Sequence, residues 1–142
     1  MENVEHIGIA VKELAAAERL FSKLFGEGPY KREEVASEHV STSFFKVNQT
    51  KIELLEATSP DSAIARFIEK KGEGFHHIAF EVKDIVEEME RLKNEGFTLL
   101  SEAPKPGADN KLVCFLHPRT TNGILIELCQ EIKTADKHGL ER

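Results

Sequence analysis

The segment His6-Ile7-Gly8-Ile9-Ala10-Val11-Lys12-Glu13-Leu14 returns later as His77-Ile78-Ala79-Phe80-Glu81-Val82-Lys83-Asp84-Ile85. A second echo, Ile52-Glu53-Leu54 and Ile126-Glu127-Leu128, closes each half. A chain that repeats the same opening and the same close is constrained to two equivalent modules. Each module then supplies one histidine and one glutamate. Neither half holds a recognisable metal motif alone, whereas a pseudo-twofold arrangement gathers two imidazoles and two carboxylates.

With 142 residues, the chain fits one globular unit or two small fused modules, and a fold of that size buries roughly two-thirds of its unfolded surface. The formal net charge of −6 argues against a general nucleic-acid binder. No apolar run is long enough to span a bilayer, and Met1-Glu2-Asn3 lacks the basic and apolar regions of a signal peptide. A cytoplasmic protein without a membrane partner is expected. Cys114 and Cys129 fall in apolar runs, where a thiol behaves as a small buried hydrophobe, and no disulfide is expected.

Residues 4 to 11 read as a strand whose alternation places His6, Gly8 and Ala10 on one face and Ile7, Ile9 and Val11 on the other. A helical stripe follows in Leu14, Ala17, Phe21, Leu24 and Phe25, ending at Gly26 and Gly28-Pro29. Strands are expected near 30 to 36, 41 to 47 and 50 to 57. The second module repeats the order: strand 75 to 82, helix 84 to 95 with Ile85, Met89 and Leu92 inward and Gly96 after its end, then strands near 97 to 101, 112 to 117 and 122 to 130. Between them Ser59-Pro60-Asp61 opens a linker helix whose Ile64, Phe67 and Ile68 share a face and which Lys70-Lys71-Gly72 closes.

The fold class is therefore α+β: two tandem βαβββ modules forming an open, cup-shaped mixed β-sheet with helices outside. Module one covers about 3–58, the linker helix about 60–72 and module two about 74–131, within a single domain; 134–142 is a polar tail. Glu53 shares a face with Lys51 and Leu55, and Glu127 with Leu125 and Cys129, so both carboxylates sit opposite the helix-packing side.

A lone histidine on a strand is more often a hydrogen-bonded structural residue than a ligand, and a lone glutamate between apolar neighbours often simply faces water. Four matching placements shift that balance. Two carboxylates buried together need a cation or a proton, and a divalent metal balances both charges. The ligand set is His6, Glu53, His77 and Glu127. His76 competes with His77, but only His77 is in register with Ala79 and with the repeat partner of His6; His76 should point to the helix side or rim. His39 and His117 carry weaker signals, His117 standing before Pro118 at a strand end where a structural turn competes with ligand contact, and His138 belongs to the solvated tail. Mixed nitrogen and oxygen ligation suits Co²⁺, Mn²⁺, Ni²⁺, Fe²⁺ or Zn²⁺, with two positions left open for substrate oxygens. No Ser-His-Asp set, phosphate-cradling glycine loop or Cys-rich zinc pattern is evident.

From about residue 4 to 131 the chain resembles the vicinal oxygen chelate superfamily, and within it the methylmalonyl-CoA epimerases. The resemblance is carried by His6-Ile-Gly-Ile-Ala-Val, Thr50-Lys-Ile-Glu-Leu-Leu-Glu56, Pro60-Asp-Ser-Ala-Ile-Ala65, Gly72-Glu-Gly-Phe-His-His-Ile-Ala-Phe-Glu-Val82, Phe115-Leu-His-Pro118 and Gly123-Ile-Leu-Ile-Glu-Leu128. It implies a metal-assisted proton transfer at C2 of methylmalonyl-CoA through a metal-stabilised enolate, with an acyl-CoA as ligand and a homodimer as assembly. It also implies Glu127 as ligand and base, and Glu53 as ligand. Some such epimerases carry Gln at the position of Glu53 and a separate catalytic Glu on an earlier strand. Here that strand reads Val40-Ser-Thr-Ser-Phe-Phe45, without a carboxylate at Thr42. The second base is then Glu53, as in a symmetric pair, with Glu38 the alternative from the rim. Lys105, Lys111 and Arg119, read as loop residues, are candidates for the CoA phosphates.

Three other functions are alternatives on a similar fold. A glyoxalase I-like lactoylglutathione lyase moves a proton between adjacent carbons on a similar site. An extradiol-type dioxygenase uses two histidines and one carboxylate, against which a fourth ligand at Glu53 argues. A metal-free drug-binding module is disfavoured by retention of all four ligands.

Overall fold

The computed structural model describes residues 1–132, so the tail with His138 lies outside the described residues. The chain divides into two compact units, one formed by Glu5–Ile78, the other by Met1–Val4 together with the residues from Ala79 onward.

In the first unit, strand β1 (Asn3–Ala10) leads into helix α1 (Leu14–Phe25), followed by β2 (Lys31–Val35), β3 (Val40–Val47), β4 (Thr50–Ala57), helix α2 (Ala63–Lys71) and the first half of β5 (Gly74–Glu81). Its strands lie in the order β2-β3-β4-β1, with β5 next to β1. β1 and β4 are parallel, and β2, β3 and β4 are antiparallel neighbours. The sheet is therefore mixed.

α1 stops where the sequence predicts: Gly26 takes the left-handed conformation at φ 82° and its N–H bonds to Ser22 O. Leu14, Ala17, Phe21 and Phe25 pack on Ile9, Val11, Phe45, Ile52 and Leu54. Burying a side chain such as Phe45 or Leu54 contributes about 1.5–3 kcal/mol. Leu24, expected in the same stripe, is exposed; it sits about 65° around the helix from the stripe's centre at 3.6 residues per turn. α2 packs differently, with Ile64, Phe67 and Ile68 against Ala10, Val40, Leu55 and Ala57. Ala10 and Leu55 alternate with Ile9 and Leu54, so α2 covers the end of the sheet face opposite α1. Its N-cap is Ser62, whose hydroxyl accepts from Ile64 N, one turn element later than Ser59-Pro60-Asp61 suggested.

In the second unit, the end of β5 is followed by helix α3 (Ile85–Asn94), β6 (Lys105–Gly107), β7 (Lys111–Leu116) and β8 (Ile126–Glu131), with β8-β7-β6 adjacent in that order. Asp84 caps α3 by accepting from Glu87 N, and Ile85, Met89 and Leu92 are its buried residues. They pack on Val82, Cys114, Leu116 and Leu128. Both cysteines are buried free thiols, as their apolar runs implied.

Two strand boundaries depart from the sequence reading. The expected strand at 97–101 is a single bridge, Leu99 to Leu116, because Ser101-Glu-Ala-Pro104 turns the chain away before a ladder forms; the strand that pairs with β7 is Lys105–Gly107. The last strand begins at Ile126 instead of about 122, since Asn122 and Gly123 both take positive φ, at 56° and 83°. The α+β class and the βαβββ order of elements in each module match the sequence reading, and no helix among the described residues is long and apolar enough to cross a membrane.

Candidate metal centre

Three of the four expected ligands lie in the first unit. The parallel register of β1 and β4 pairs His6 with Lys51 and Gly8 with Glu53. His6 and His77 are each 5 % exposed, and Glu53 is 4 % exposed. The two imidazoles meet edge to face at 90°, with Nε2 of His6 3.0 Å from Nε2 of His77. Gly8 makes this possible. A Cβ there would lie 2.5 Å from His77 Nδ1 and nearer still to Cε1, so only glycine lets the ring rest on β1. Gly8 has no role in the sequence reading beyond its place in the repeat, yet it is the residue that seats His77.

The far edge of His6 is equally occupied. Its Nδ1 donates to Glu5 Oε1 at 2.7 Å and lies 3.1 Å from Glu53 Oε2. Lys51 Nζ donates to the other Glu5 oxygen at 2.6 Å. Burial acts to raise the Glu5 carboxyl, but the hydrogen bonds and positive charges of His6 and Lys51 outweigh it and bring its pKa down to about 2. Glu5 is thus a buried carboxylate that the repeat did not reveal, because its counterpart before His77 is His76.

His76 takes the corresponding place beside His77. Its Nδ1 is 2.9 Å from His77 Nδ1, and its ring stands edge-on to Phe67 of α2 with centroids 4.8 Å apart. It therefore touches both a helix and the neighbouring imidazole.

The family model described as the glyoxalase/bleomycin resistance protein/dioxygenase superfamily matches residues 5–115. The chain belongs to this superfamily. An uncharacterised protein of Bacillus subtilis, YqjC, is 37 % identical over 92 % of this chain and 93 % of its own. The ethylmalonyl-CoA/methylmalonyl-CoA epimerase of Cereibacter sphaeroides is 40 % identical over 89 % of this chain and 96 % of its own. Among solved structures, a Streptomyces coelicolor methylmalonyl-CoA epimerase variant in complex with 2-nitronate-propionyl-CoA superposes with a TM-score of 0.89 at 30 % identity, covering 92 % of this chain and 95 % of that one.

The superfamily's divalent ion fits the histidine pair. Two nitrogens about 2.1 Å from one ion and at right angles to each other stand about 3.0 Å apart, the observed Nε2–Nε2 separation. Glu53 approaches the Nδ1 edge of His6, with Oε2 3.1 Å from that nitrogen. Glu127, the fourth expected ligand, is in the second unit, 5 % exposed on β8. It is paired with Phe115 of β7, just as Glu53 is paired with Phe44 of β3. The two glutamates therefore occupy equivalent rungs of equivalent strand pairs.

The remaining candidates separate by location. Thr42 is fully buried opposite Leu55, and Glu38 ends an exposed single turn at Ala36–Glu38. His117 accepts from Arg119 N and caps the turn at Pro118–Thr120, the structural one of its two alternatives, and His39 closes the turn at Ala36–Glu38 with φ 55°. Lys105 and Arg119 are exposed. Lys111, read as a loop cation, instead starts β7 opposite Glu131 and is 7 % exposed; the ladder takes it out of solvent.

Proposed function

We propose that this protein epimerises methylmalonyl-CoA at C2 with the help of one divalent cation held by His6, Glu53, His77 and Glu127. The carrying observation is the convergence of two buried imidazole Nε2 atoms 3.0 Å apart, in a chain whose relatives are named for this epimerisation. The repeat supports the carboxylates: Glu53 and Glu127 hold the same rung in the two modules. Two negative charges balance one divalent ion, which removes the cost of burying them.

When bound, the cation supplies Lewis-acid stabilisation of the negative charge that grows on the thioester oxygen as C2 loses its proton. The chain supplies the proton chemistry. C2 lies between a thioester carbonyl and a carboxylate, so its proton is acidic enough for a glutamate to take. Glu127 removes it on one face and the C–H electron pair passes into the enolate; Glu53, which takes up a proton from solvent before the step, gives that proton to the opposite face and inverts the centre, and Glu127 then returns its proton to solvent. Nothing is oxidised or reduced. Burial of both carboxylates keeps bulk water from the planar carbon and makes the stereochemistry a property of the two side chains. Lys105 and Arg119, exposed on the second unit, serve the CoA phosphates; the burial of Lys111 removes it from that role.

Incubating purified, metal-loaded protein with a single C2 epimer of methylmalonyl-CoA, and separately with the glutathione hemithioacetal of methylglyoxal, tests this reading. Formation of the second epimer is the expected result. Conversion of the hemithioacetal alone would replace the epimerase with a glyoxalase I-like lyase.

A further inference from the structure

The histidine pair sits inside a longer polar array in the first unit. Lys51 Nζ bonds Glu5 Oε2 at 2.6 Å, and Glu5 Oε1 meets His6 Nδ1 at 2.7 Å. His6 Nε2 faces His77 Nε2 at 3.0 Å, and His77 Nδ1 faces His76 Nδ1 at 2.9 Å. A neutral imidazole has one N–H and one lone pair, while an ionised carboxylate only accepts. Glu5 therefore requires the N–H of His6 on Nδ1, which leaves a lone pair on Nε2. Without a cation, the facing Nε2 of His77 must carry its proton toward that lone pair. Its Nδ1 then accepts from His76 Nδ1–H. With a cation between the two Nε2 atoms, His77 needs a lone pair there instead.

We propose that Glu5 and His76 are the positioning residues of this centre: Glu5 holds His6 in one tautomer throughout, and His76 lets His77 switch tautomer when the cation enters. The inference rests on the reading of His6 and His77 as ligands. In the switch, His77 gives up the proton on Nε2 and gains one on Nδ1. His76 correspondingly loses its Nδ1 proton and gains one on Nε2, so no proton is released overall. A histidine suits position 76 because its ring nitrogen can donate in one state and accept in the other. A carboxylate suits position 5 because it accepts in both. Lys51 fixes the second Glu5 oxygen, and the Phe67 edge braces His76. His76 then acts through its neighbour and is not itself a ligand.

Long-range ¹⁵N–¹H spectra of the imidazoles at slightly alkaline pH, before and after adding Zn²⁺, read the array directly. His6 should carry its proton on Nδ1 in both states. His77 should pass from Nε2–H to Nδ1–H on binding, and His76 from Nδ1–H to Nε2–H. A metal-free His6 protonated on Nε2 would overturn the role of Glu5, and a His76 tautomer unmoved by Zn²⁺ would overturn the switch. Chelator competition provides a second readout: Glu5→Leu and His76→Phe should each weaken Zn²⁺ binding about 10- to 100-fold. Glu5→Gln and His76→Gln, whose amides keep an acceptor, should restore part of that loss. Wild-type affinity in Glu5→Leu or His76→Phe would defeat the proposal. If wild-type protein binds no divalent ion, the metal reading fails on its own, while the metal-free His6 tautomer still decides the part played by Glu5.

Discussion

Gly8→Ala isolates the seat of His77 better than removal of the histidine itself. The added Cβ would stand 2.5 Å from Nδ1 of His77, where ordinary contacts are about 3.5 Å, so the ring must retreat by about 1 Å. The neighbour is a buried imidazole held between His6 and His76, and not the free end of a flexible chain. Overpacking of this kind costs about 1–3 kcal/mol. The functional loss should be larger in proportion, because ligand distances tolerate only about 0.2 Å. A displaced Nε2 amounts to a missing ligand, and Zn²⁺ affinity should fall at least about 100-fold by chelator competition. Gly26→Ala is the control: it strains a left-handed helix end at φ 82° for about 1 kcal/mol and should leave Zn²⁺ affinity untouched. An alanine at position 8 that binds Zn²⁺ like wild type, with an unchanged melting temperature, would refute the argument.

Glu127→Gln should retain most bound metal, since an amide oxygen still coordinates, while turnover falls by roughly 10² to 10⁴ for want of a base; full turnover at full occupancy would remove Glu127 from the chemistry. Glu53→Gln separates two roles for that residue: proton exchange at C2 that persists while inversion stops places Glu53 on the opposite face, and intact turnover makes it a ligand only. Glu5 makes stability acid-sensitive. Its pKa is about 2 in the folded protein against an ordinary 4.5, so unfolding takes up a proton in between. The contribution, at most about 3 kcal/mol, is complete above about pH 4.5 and lost as pH falls toward 2. Denaturant melts of metal-free wild type should show that loss, and Glu5→Gln should flatten it.

What could be read from sequence was whatever the repeat and the alternation encode. His6, Glu53, His77 and Glu127 stood out in the sequence because equivalent strands hold equivalent positions, and α1 was bounded correctly because Gly26 is a residue that tolerates positive φ. Contacts between sequence neighbours escaped the same logic. Alternation assigns Glu5 and His76 to the faces opposite His6 and His77, yet near the strand starts both turn back onto their neighbours. Gly8 looked like a small inward residue, and only the ring lying on it makes glycine necessary. The strand expected at 97–101 failed because apolar content marks an extended segment without saying whether a partner strand continues beside it. Lys111 failed because a charged residue next to an Asn reads as loop, whereas its rung opposite Glu131 belongs to the ladder.

On the proposed mechanism, a divalent ion on the histidine pair and two glutamates of this chain exchange the C2 proton of methylmalonyl-CoA. The most direct measurement follows that proton by NMR in D₂O, starting from one epimer, with metal-depleted protein and with the same protein reconstituted with Co²⁺ or Zn²⁺. Reconstituted protein should wash the proton out and build the second epimer, and depleted protein should be slower by at least about 100-fold, in line with the charge stabilisation such an ion provides. Equal exchange without the ion, or none with the ion bound, would contradict the account.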